Sequence, residues 1–253
     1  MLKNQIAVFL SILAMVASAC TSNEISRREE RDADLRQDSP SNQPPIETFV
    51  PPGGAGLGSR ELEAAEARFN HEFFLSNGRS TNLRGIWGSS AEDVFAVGDF
   101  GAVLHFDGRR WNPQELGTSK NLRAVWGSGP NDVFIVGHGG TIFHFDGRRW
   151  HWQTRGIEED FFGVWGSGPD DVYAVGSGGV IYHYDGSRWT SQESGTNALL
   201  RVVWGSGSSD IFVCGQGDAI LHSDGSTWRT MSPVVSGMRN GLSGIWGSGP
   251  NDV

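Results

Sequence analysis

The chain has 253 residues, with 29 acidic and 20 basic side chains and a formal net charge of −9. An acidic chain without a basic stripe argues against nucleic acid as a partner. Its 36 glycines and ten tryptophans are typical of a surface-rich β protein that binds proteins or polymers, and its two cysteines do not form a disulfide framework.

Residues 1–19 predict a secretory signal peptide. Lys3 is followed by an uncharged run over residues 6–19, which is too short to span a membrane and ends in small side chains. These residues lead directly into Cys20, and the pattern resembles the cleavage site of bacterial lipoproteins, in which this cysteine becomes the lipidated first residue. We expect a lipid on Cys20, and an ordinary signal peptide cut after Ala19 is the alternative.

The segment after the cysteine predicts an anchored, exported protein with a long tether. By resemblance to such lipoproteins, Thr21 rather than aspartate favours the outer membrane, although Ala17 stands where leucine is usual. The membrane would then be touched only through the N-terminal lipid. Residues 21–59 are rich in Ser, Pro, Gly and charged side chains with almost no apolar periodicity, which predicts a disordered linker. We take the linker as residues 20–68, and residues 61–69 could form a short helix at its end.

A unit of about forty residues recurs from Leu83 onward, and a fixed period of this length predicts a propeller, solenoid or array. Each unit carries Trp-Gly-Ser, Asp-Val/Ile-Phe/Tyr, a glycine-rich turn, aliphatic-X-His, and Asp-Gly followed three residues later by Trp. The units span 83–121, 122–160, 161–199 and 200–241, with a partial fifth at 242–253. The first tryptophan of each, spaced by 39, 39, 39 and 42 residues, is Trp87, Trp126, Trp165, Trp204 and Trp246.

Four runs of strand-forming residues make up one unit, and they predict one propeller blade. The run 132–136 of the second unit is apolar at four successive positions, which indicates a strand covered on both faces. Asp146-Gly147 predicts a hairpin with a type I′ turn. Four short antiparallel strands without helical periodicity are typical of a propeller, so the predicted fold class is all-β. The runs of the second unit are 122–126, 132–136, 141–145 and 148–154.

Proline positions predict the order of strands within a blade. Pro113 and Pro233 fall in the fourth run of their units, and proline is tolerated in a sheet mainly at an edge. We therefore place the fourth strand at the outer edge and the first at the axis. Residues 69–77 resemble a fourth strand that would close a ring. Because its partner strands are missing, we expect the natural protein to have more blades than the four complete and one partial blade within 69–253.

Residues that recur in every unit are expected to serve the blade itself. Equivalent histidines lie in successive sheets about 10 Å apart, too far to share a metal whose ligands lie about 2 Å away. We expect no metal and no cofactor, and a hydrogen bond from each histidine to a neighbouring loop or to the turn aspartate. The aspartates are expected to stabilise turns, and the second tryptophans to pack between blades. The recurring residues are His105, His144, His183, His222, Asp107, Asp146, Asp185, Asp224, Trp111, Trp150, Trp189, Trp228, and a second aspartate set, Asp93, Asp132, Asp171, Asp210 and Asp252.

The Asp-Gly-X-X-Trp hairpin within a Trp-Gly-Ser, Asp-Val-Phe-Ala-Val-Gly unit resembles bacterial BNR/Asp-box-like (WD40/YVTN/BNR-like) propeller repeats. That group includes sialidase-like and photosystem II assembly-factor-like propellers, and the likeness extends in particular to the repeat lipoproteins of myxobacteria and their relatives. It covers residues 83–253 and implies the propeller fold. The strict Asp-box is Asp-X-Gly-X-Thr-Trp, so the adjacent Asp and Gly here do not imply sialidase activity. Sialidases also need an arginine cluster and a tyrosine nucleophile, and Tyr173, Tyr182 and Tyr184 occupy repeat positions that hold other residue types elsewhere.

Binding residues are expected where the repeat symmetry breaks. The turn between the second and third strands begins with a different polar residue in each unit, and the loops that leave the fourth strand also differ. Both loop sets emerge on one face of an up-and-down blade, and variable loops on a rigid scaffold often carry recognition. The alternative is that nothing constrains these loops. The candidate binding residues are Asp99, His138, Ser177 and Gln216.

Together these features predict a non-catalytic outer-membrane lipoprotein that acts as a scaffold for an envelope protein or polysaccharide. The sequence contains no evident nucleophile–base pair, phosphate loop or metal-spaced cluster, so no catalytic residue is assigned. The alternative is a secreted glycan-cleaving hydrolase whose active site lies on the variable loops or in further blades. A lectin with one sugar site per blade would need identical residues on one loop face, which the variable turns disfavour.

Overall fold

A computed structural model of the chain describes residues 81–154, 156–217, 219–231 and 241–249. The expected signal peptide, Cys20, the linker, the closing strand 69–77 and Pro233 lie outside the described residues. The expectations that concern them stay predictions.

The described residues form four antiparallel sheets of four strands each, which confirms the all-β fold of propeller blades. Blade one contains β1 (Leu83–Ser90), β2 (Asp93–Gly98), β3 (Val103–Phe106) and β4 (Trp111–Pro113). Blade two contains β5 (Leu122–Gly129), β6 (Asp132–Gly137), β7 (Thr141–Phe145) and β8 (Trp150–Trp152). Blade three contains β9 (Phe161–Gly168), β10 (Asp171–Gly176), β11 (Ile181–Tyr184) and β12 (Trp189–Gln192). Blade four contains β13 (Leu200–Gly207), β14 (Asp210–Gly215), β15 (Ile220–Ser223) and β16 (Trp228–Thr230).

The first strand of each blade is longer than the sequence predicts. In blade two it extends through Gly129, because Gly127 pairs with Val133 and, after an irregularity in the register, Gly129 pairs with Asp132. The interval of residues 127–131 between the first two predicted runs is therefore reduced to a turn at residues 130 and 131. Glycine is typical of turns, but Gly127 and Gly129 are strand residues that pair with the second strand.

The second strands of blades two and three each pack against both neighbouring blades. Val133, Phe134, Ile135 and Val136 of β6 are all fully buried. Val133 and Ile135 pack with residues of blade one, whereas Phe134 and Val136 pack with residues of blade three. Full burial of a side chain of this size contributes about 1.5–3 kcal/mol. The hydrophobic cores therefore lie between blades rather than within them.

The Trp-Gly pair of each unit determines how closely neighbouring blades approach. A Cβ atom built on Gly166 of β9 would lie 2.7 Å from Cη2 of Trp126 in the preceding blade. Gly127 meets Trp87 at 2.7 Å in the same way, and Gly205 meets Trp165. The tryptophan of one blade thus packs on the glycine of the next, which explains why glycine follows this tryptophan in blades two, three and four.

The order of strands within the blade agrees with the prediction. The first strands of neighbouring blades lie side by side in the order β1, β5, β9, β13, and residues from each of them line one cavity. The fourth strand lies at the opposite edge of each sheet, with Pro113 in β4. Residues 241–249 of the described chain contain no strand, so a fifth blade is not seen there. Within the described ranges there is no α-helix, and therefore none long and apolar enough to cross a membrane.

The hairpin turns correct the prediction of a type I′ turn. A type I′ turn requires positive φ at both central residues, but only Gly147 of the Asp146-Gly147 pair has one, at 84°. Instead, Oδ1 of Asp146 accepts the backbone N–H groups of Arg148 and Arg149, both at 2.8 Å. The Asp146 carboxylate thus stabilises a loop that is longer than a two-residue turn. Aspartate is favoured in turns because its side chain can accept such backbone hydrogen bonds. At the equivalent Asp107, hydrogen bonds led by the backbone N–H of Arg110 lower the pKa to about 2.

Candidate functional site

A hydrogen-bonded group of serine, aspartate and histidine recurs in all four described blades. In blade two the Nε2–H of His144 donates to Oδ1 of Asp132 at 2.6 Å, because an ionised carboxylate can only accept. The hydroxyl of Ser128 donates to the other carboxylate oxygen. The group joins the first three strands, since its members lie in β5, β6 and β7. The equivalents are Ser89–Asp93–His105, Ser167–Asp171–His183 and Ser206–Asp210–His222.

The order of these groups is wrong for nucleophilic catalysis. A serine hydrolase needs histidine between serine and aspartate, so that the imidazole can take the serine proton. Here the aspartate stands in the middle, and the His144 ring stacks on Phe134 with centroids 4.2 Å apart. Burial works to raise the pKa of Asp132, but the hydrogen bonds from His144 and Ser128 outweigh it and the pKa is lowered. The group therefore stabilises the blade.

The second tryptophan of a unit packs across the boundary between blades. Trp150 of blade two lies edge-on to Phe95 of blade one, with ring centroids 5.8 Å apart. Trp228 does the same to Tyr173, at 5.9 Å, and its Nε1–H donates to Gln192. Such edge-to-face pairs add about 0.5–1.5 kcal/mol beyond the area they bury. These tryptophans therefore belong to the cores between blades.

Two potentially nucleophilic side chains of the described residues, those of Cys214 and Tyr173, are buried. Cys214 is fully buried, and burial raises the pKa of its thiol to about 11. Tyr173 is 2% exposed, and burial together with the charge of Asp171 raises the pKa of its hydroxyl. Neither side chain is available as a nucleophile at neutral pH.

The four candidate binding residues lie beside the loops that lead into the first strands. The backbone N–H of Asp99 donates to the carbonyl of Asn82 at 3.0 Å, and that of His138 donates to Asn121 at 2.9 Å. Ser177 and Gln216 make the same contact with the residues before β9 and β13. The variable turns and the variable loops are thus neighbours on one face, which we call the loop face.

Two of the four side chains are already engaged by arginines of the first strands. Asp99 is 6% exposed and accepts two hydrogen bonds from Arg84, at 2.8 and 3.0 Å. The Arg84 guanidinium is the main cause that lowers the pKa of Asp99. Nε2 of His138 accepts a hydrogen bond from Arg123 at 2.7 Å. The proton of a neutral His138 is therefore on Nδ1, which lies 3.9 Å from the carboxylate of Asp160.

The other two candidate side chains differ in their surroundings. The hydroxyl of Ser177 accepts the backbone N–H of Asp160 at 3.1 Å, so it supports the neighbouring loop. Gln216 is exposed. The four residues share a face but do not converge on one point as a set, and only His138 and Asp99 reach the first strands through side-chain contacts.

Sequence reasoning missed the residues that do converge. A cavity of about 600 Å³ at the axis is lined by Arg84, Arg123 and Arg201, with Phe162 in the same place in blade three. All four are the second residue of their unit. The residue that follows each of them is small or apolar: Gly85, Ala124, Gly163 or Val202. The guanidinium carbon of Arg123 lies 5.6 Å from the centre of the Phe162 ring, a cation–π distance.

A second, more polar cavity of about 520 Å³ lies along β11, β12 and the loop that follows. Glu159, Glu193 and Tyr182 contribute to its lining. The described parts of the chain contain no group of three or more His, Cys, Asp or Glu side chains arranged to hold a metal ion.

The strand pairing and the axial cavity define the class of protein as a β-propeller repeat protein. No protein-family model and no curated protein matches the chain. Among solved structures it is similar to YCF48 from Cyanidioschyzon merolae, at 19% identity and a TM-score of 0.48, covering 62% of this chain and 57% of that one. A structure of YCF48 bound to D1 peptide has 16% identity and a TM-score of 0.49, covering 63% of this chain and 56% of that one. The six-bladed Aleuria aurantia lectin has 19% identity and a TM-score of 0.39, with 62% of each chain covered. The chain thus covers less than two thirds of the length of these proteins.

Proposed function

We propose that this chain is a non-catalytic propeller scaffold that binds an anionic group of an envelope protein or glycan at the axial cavity. The observation that carries the proposal is the presence of Arg84, Arg123 and Arg201 around one cavity. The carboxylate of Asp99 pairs with Arg84, and that of Asp160 lies 3.9 Å from His138, the partner of Arg123. The three positive charges exceed these two negative charges, although the whole chain carries −9. A positive cavity on an acidic protein concentrates anions at that point.

The three guanidinium groups differ in how much of their hydrogen-bonding capacity is used. Arg84 is paired with Asp99, and Arg123 uses Nε for His138. The guanidinium group of Arg201 has no hydrogen-bond or ion-pair partner within the described part of the chain. Planar guanidinium groups bind carboxylates through two parallel hydrogen bonds. Arg201 and the Nη groups of Arg123 are therefore the donors we assign to the ligand.

The cellular setting of the proposal rests on the sequence. Residues 1–19 and Cys20 resemble the start of a bacterial lipoprotein, and the predicted linker continues to residue 68. A lipid-anchored BNR-like propeller of the outer membrane would meet uronic-acid polysaccharides and acidic segments of envelope proteins. Both classes carry the carboxylates that arginines recognise.

Binding of defined probes tests the axial site. Calorimetric titration of the full chain would use an oligogalacturonate and an acidic hexapeptide with a free C-terminal carboxylate. We expect the Arg123→Gln/Arg201→Gln variant to bind at least about tenfold more weakly, which is one lost charge-assisted hydrogen bond. The Arg148→Gln/Arg149→Gln variant removes the same charge from an exposed hairpin and serves as the control. If neither probe binds, or if both variants bind alike, the axial site is wrong.

A glycan-cleaving hydrolase is the second candidate, because Glu159 and Glu193 line the same polar cavity. Glycoside hydrolases use a pair of carboxyl groups on either side of the scissile bond. No tyrosine is among the described residues that line the axial cavity, so a tyrosine nucleophile beside the arginines is not supported. Release of reducing ends from a polysaccharide by the full chain, lost in Glu193→Gln, would replace the scaffold proposal.

A further inference from the structure

One turn of the loop face has a strained backbone where its three counterparts do not. The second residue of the turn between the second and third strands is glycine in blades two, three and four, with φ of 60°, 67° and 65°. In blade one this residue is Phe100, also with φ of 60°. Among the described residues it is the only non-glycine residue with positive φ. L-residues with a Cβ atom are disfavoured in this region.

The turn is held in this conformation by contacts that do not involve the phenyl ring. The carbonyl of Asp99 accepts a hydrogen bond from the hydroxyl of Thr81 at 2.8 Å, and its carboxylate is bound by Asn82 and Arg84. The backbone N–H of Phe100 donates to Oδ1 of Asn121 at 3.0 Å. In blade two the N–H of Gly139 donates in the same way to Asp160, at 2.8 Å. Glycine therefore satisfies the same contacts without strain.

The ring itself is presented to solvent. Phe100 is 49% exposed, and within the described residues it has no aromatic or cationic partner. It follows directly after Asp99, which is paired with Arg84 of the axial cavity. Strained residues held by their surroundings concentrate at functional sites. The exposed aromatic ring thus belongs to a turn whose neighbouring residues contact Arg84 of the axial cavity and Asn121, two residues before Arg123.

The surroundings of the ring favour an apolar ligand group over a sugar. Recognition of a sugar needs free hydrogen-bonding side chains beside the aromatic ring, to bind the hydroxyls. Here the carboxylate of Asp99 is bound by Arg84 and Asn82, and Oδ1 of Asn121 by the backbone of Phe100. An apolar side chain of a peptide needs only the ring face.

We propose that Phe100 is a specificity-determining residue of the loop face, which binds an apolar side chain of a peptide whose carboxylate is held by the axial arginines. This inference rests on the proposed function and adds the class of ligand. The peptide would combine an acidic group with a Leu, Phe, Tyr or Trp side chain. Because Phe100 is not needed to form the turn, its removal should alter recognition and leave the fold intact.

A bead-displayed library of hexapeptides with free C-terminal carboxylates tests the ligand class, with the full chain as the bait. We expect the wild-type chain to select acidic peptides with one large apolar residue. Phe100→Gly should select acidic peptides without that preference, and should bind the wild-type selection about tenfold more weakly. Trp152→Ala removes an exposed aromatic residue from an outer strand and serves as the control, with unchanged selection.

The remaining outcomes distinguish a failure of the Phe100 proposal from a failure of the proposed function. If Phe100→Gly and the wild-type chain select the same peptides, the role of Phe100 is wrong while anion binding stands. If only oligogalacturonate binds, the ligand is a glycan and the peptide proposal is wrong. If neither probe binds, the proposed function fails as well. The thermal midpoint without ligand is an independent test, in which Phe100→Gly should leave it unchanged or raise it by up to about 3 °C. A clear fall would make Phe100 a structural residue and overturn the proposal.

Discussion

Replacing Gly166 by alanine tests the contact that determines the approach of neighbouring blades. The new methyl group would lie 2.7 Å from Cη2 of Trp126 and 2.7 Å from the carbonyl oxygen of Asp171. The carbonyl belongs to a paired strand, and the indole lies in the core cluster between blades two and three, so neither can move freely. Relief of the clash therefore requires blades two and three to separate or the first strand to shift.

The magnitude follows from two opposing effects. Overpacking in a well-packed core costs about 1–3 kcal/mol. Replacing glycine by alanine also restricts the unfolded chain, which stabilises the fold by about 0.4–1 kcal/mol. We expect Gly166→Ala to lower the free energy of unfolding by about 1–2 kcal/mol. In a domain of this size that corresponds to a fall in the thermal midpoint of roughly 2–8 °C.

Urea denaturation followed by tryptophan fluorescence measures the effect, and the chain supplies a matched control. A Cβ atom on Gly129 would meet nothing within 4 Å. Gly129→Ala should therefore leave the free energy of unfolding unchanged or raise it by up to about 1 kcal/mol. If Gly166→Ala is as stable as Gly129→Ala, the Trp-Gly contact does not determine the spacing of the blades.

Three further substitutions test individual contacts and backbone conformations, and a mass measurement tests the predicted lipid anchor. Asp132→Ala leaves the Nε2–H of His144 without its carboxylate, and should lower the free energy of unfolding by about 2–3 kcal/mol in the same denaturation assay. Gly178→Ala meets open space but keeps φ at 67°, so it should cost about 1 kcal/mol; no loss would show that this turn tolerates a side chain. The pKa of Asp99 is lowered below 3.8, so its ion pair stabilises the fold above that pH, and the contribution is lost as the pH falls through the folded-state pKa. Asp99→Asn should therefore show a shallower loss of stability as the pH falls below 3.8. Intact-mass measurement of the protein from its natural membrane should find a lipid on Cys20 that Cys20→Ser removes, and an unlipidated wild-type product would refute the anchor.

The blade was predictable because its information is local. A period of about 39 residues, apolar runs at fixed offsets and proline in the fourth run depend only on neighbouring residues in the chain. The structure accordingly has four strands per unit in the predicted order, with Pro113 at the edge. The hairpin turn was mispredicted because Asp146-Gly147 is compatible with two local conformations. The hydrogen bonds of the carboxylate select one of them.

The candidate site was only partly predictable, for a different reason. The variable residues Asp99 and His138 could be assigned to one face from the alternation of strands and turns. The arginines of the axial cavity are recognisable as one group only once the first strands of four blades lie around one axis, since Arg84 and Arg201 are far apart in the chain. Their common second position in the unit was the available signal.

The amino-acid sequence by itself thus determined the repeat, the strands and the residues that stabilise each blade, because these depend on periodicity and on contacts within about forty residues. Only the tertiary structure decided which side chains meet between blades and where positive charge accumulates. It also showed that Phe100 has the positive φ that glycine has in the equivalent turns of the other three blades. Those properties arise from packing of whole sheets around an axis, and no local pattern specifies the distances between sheets.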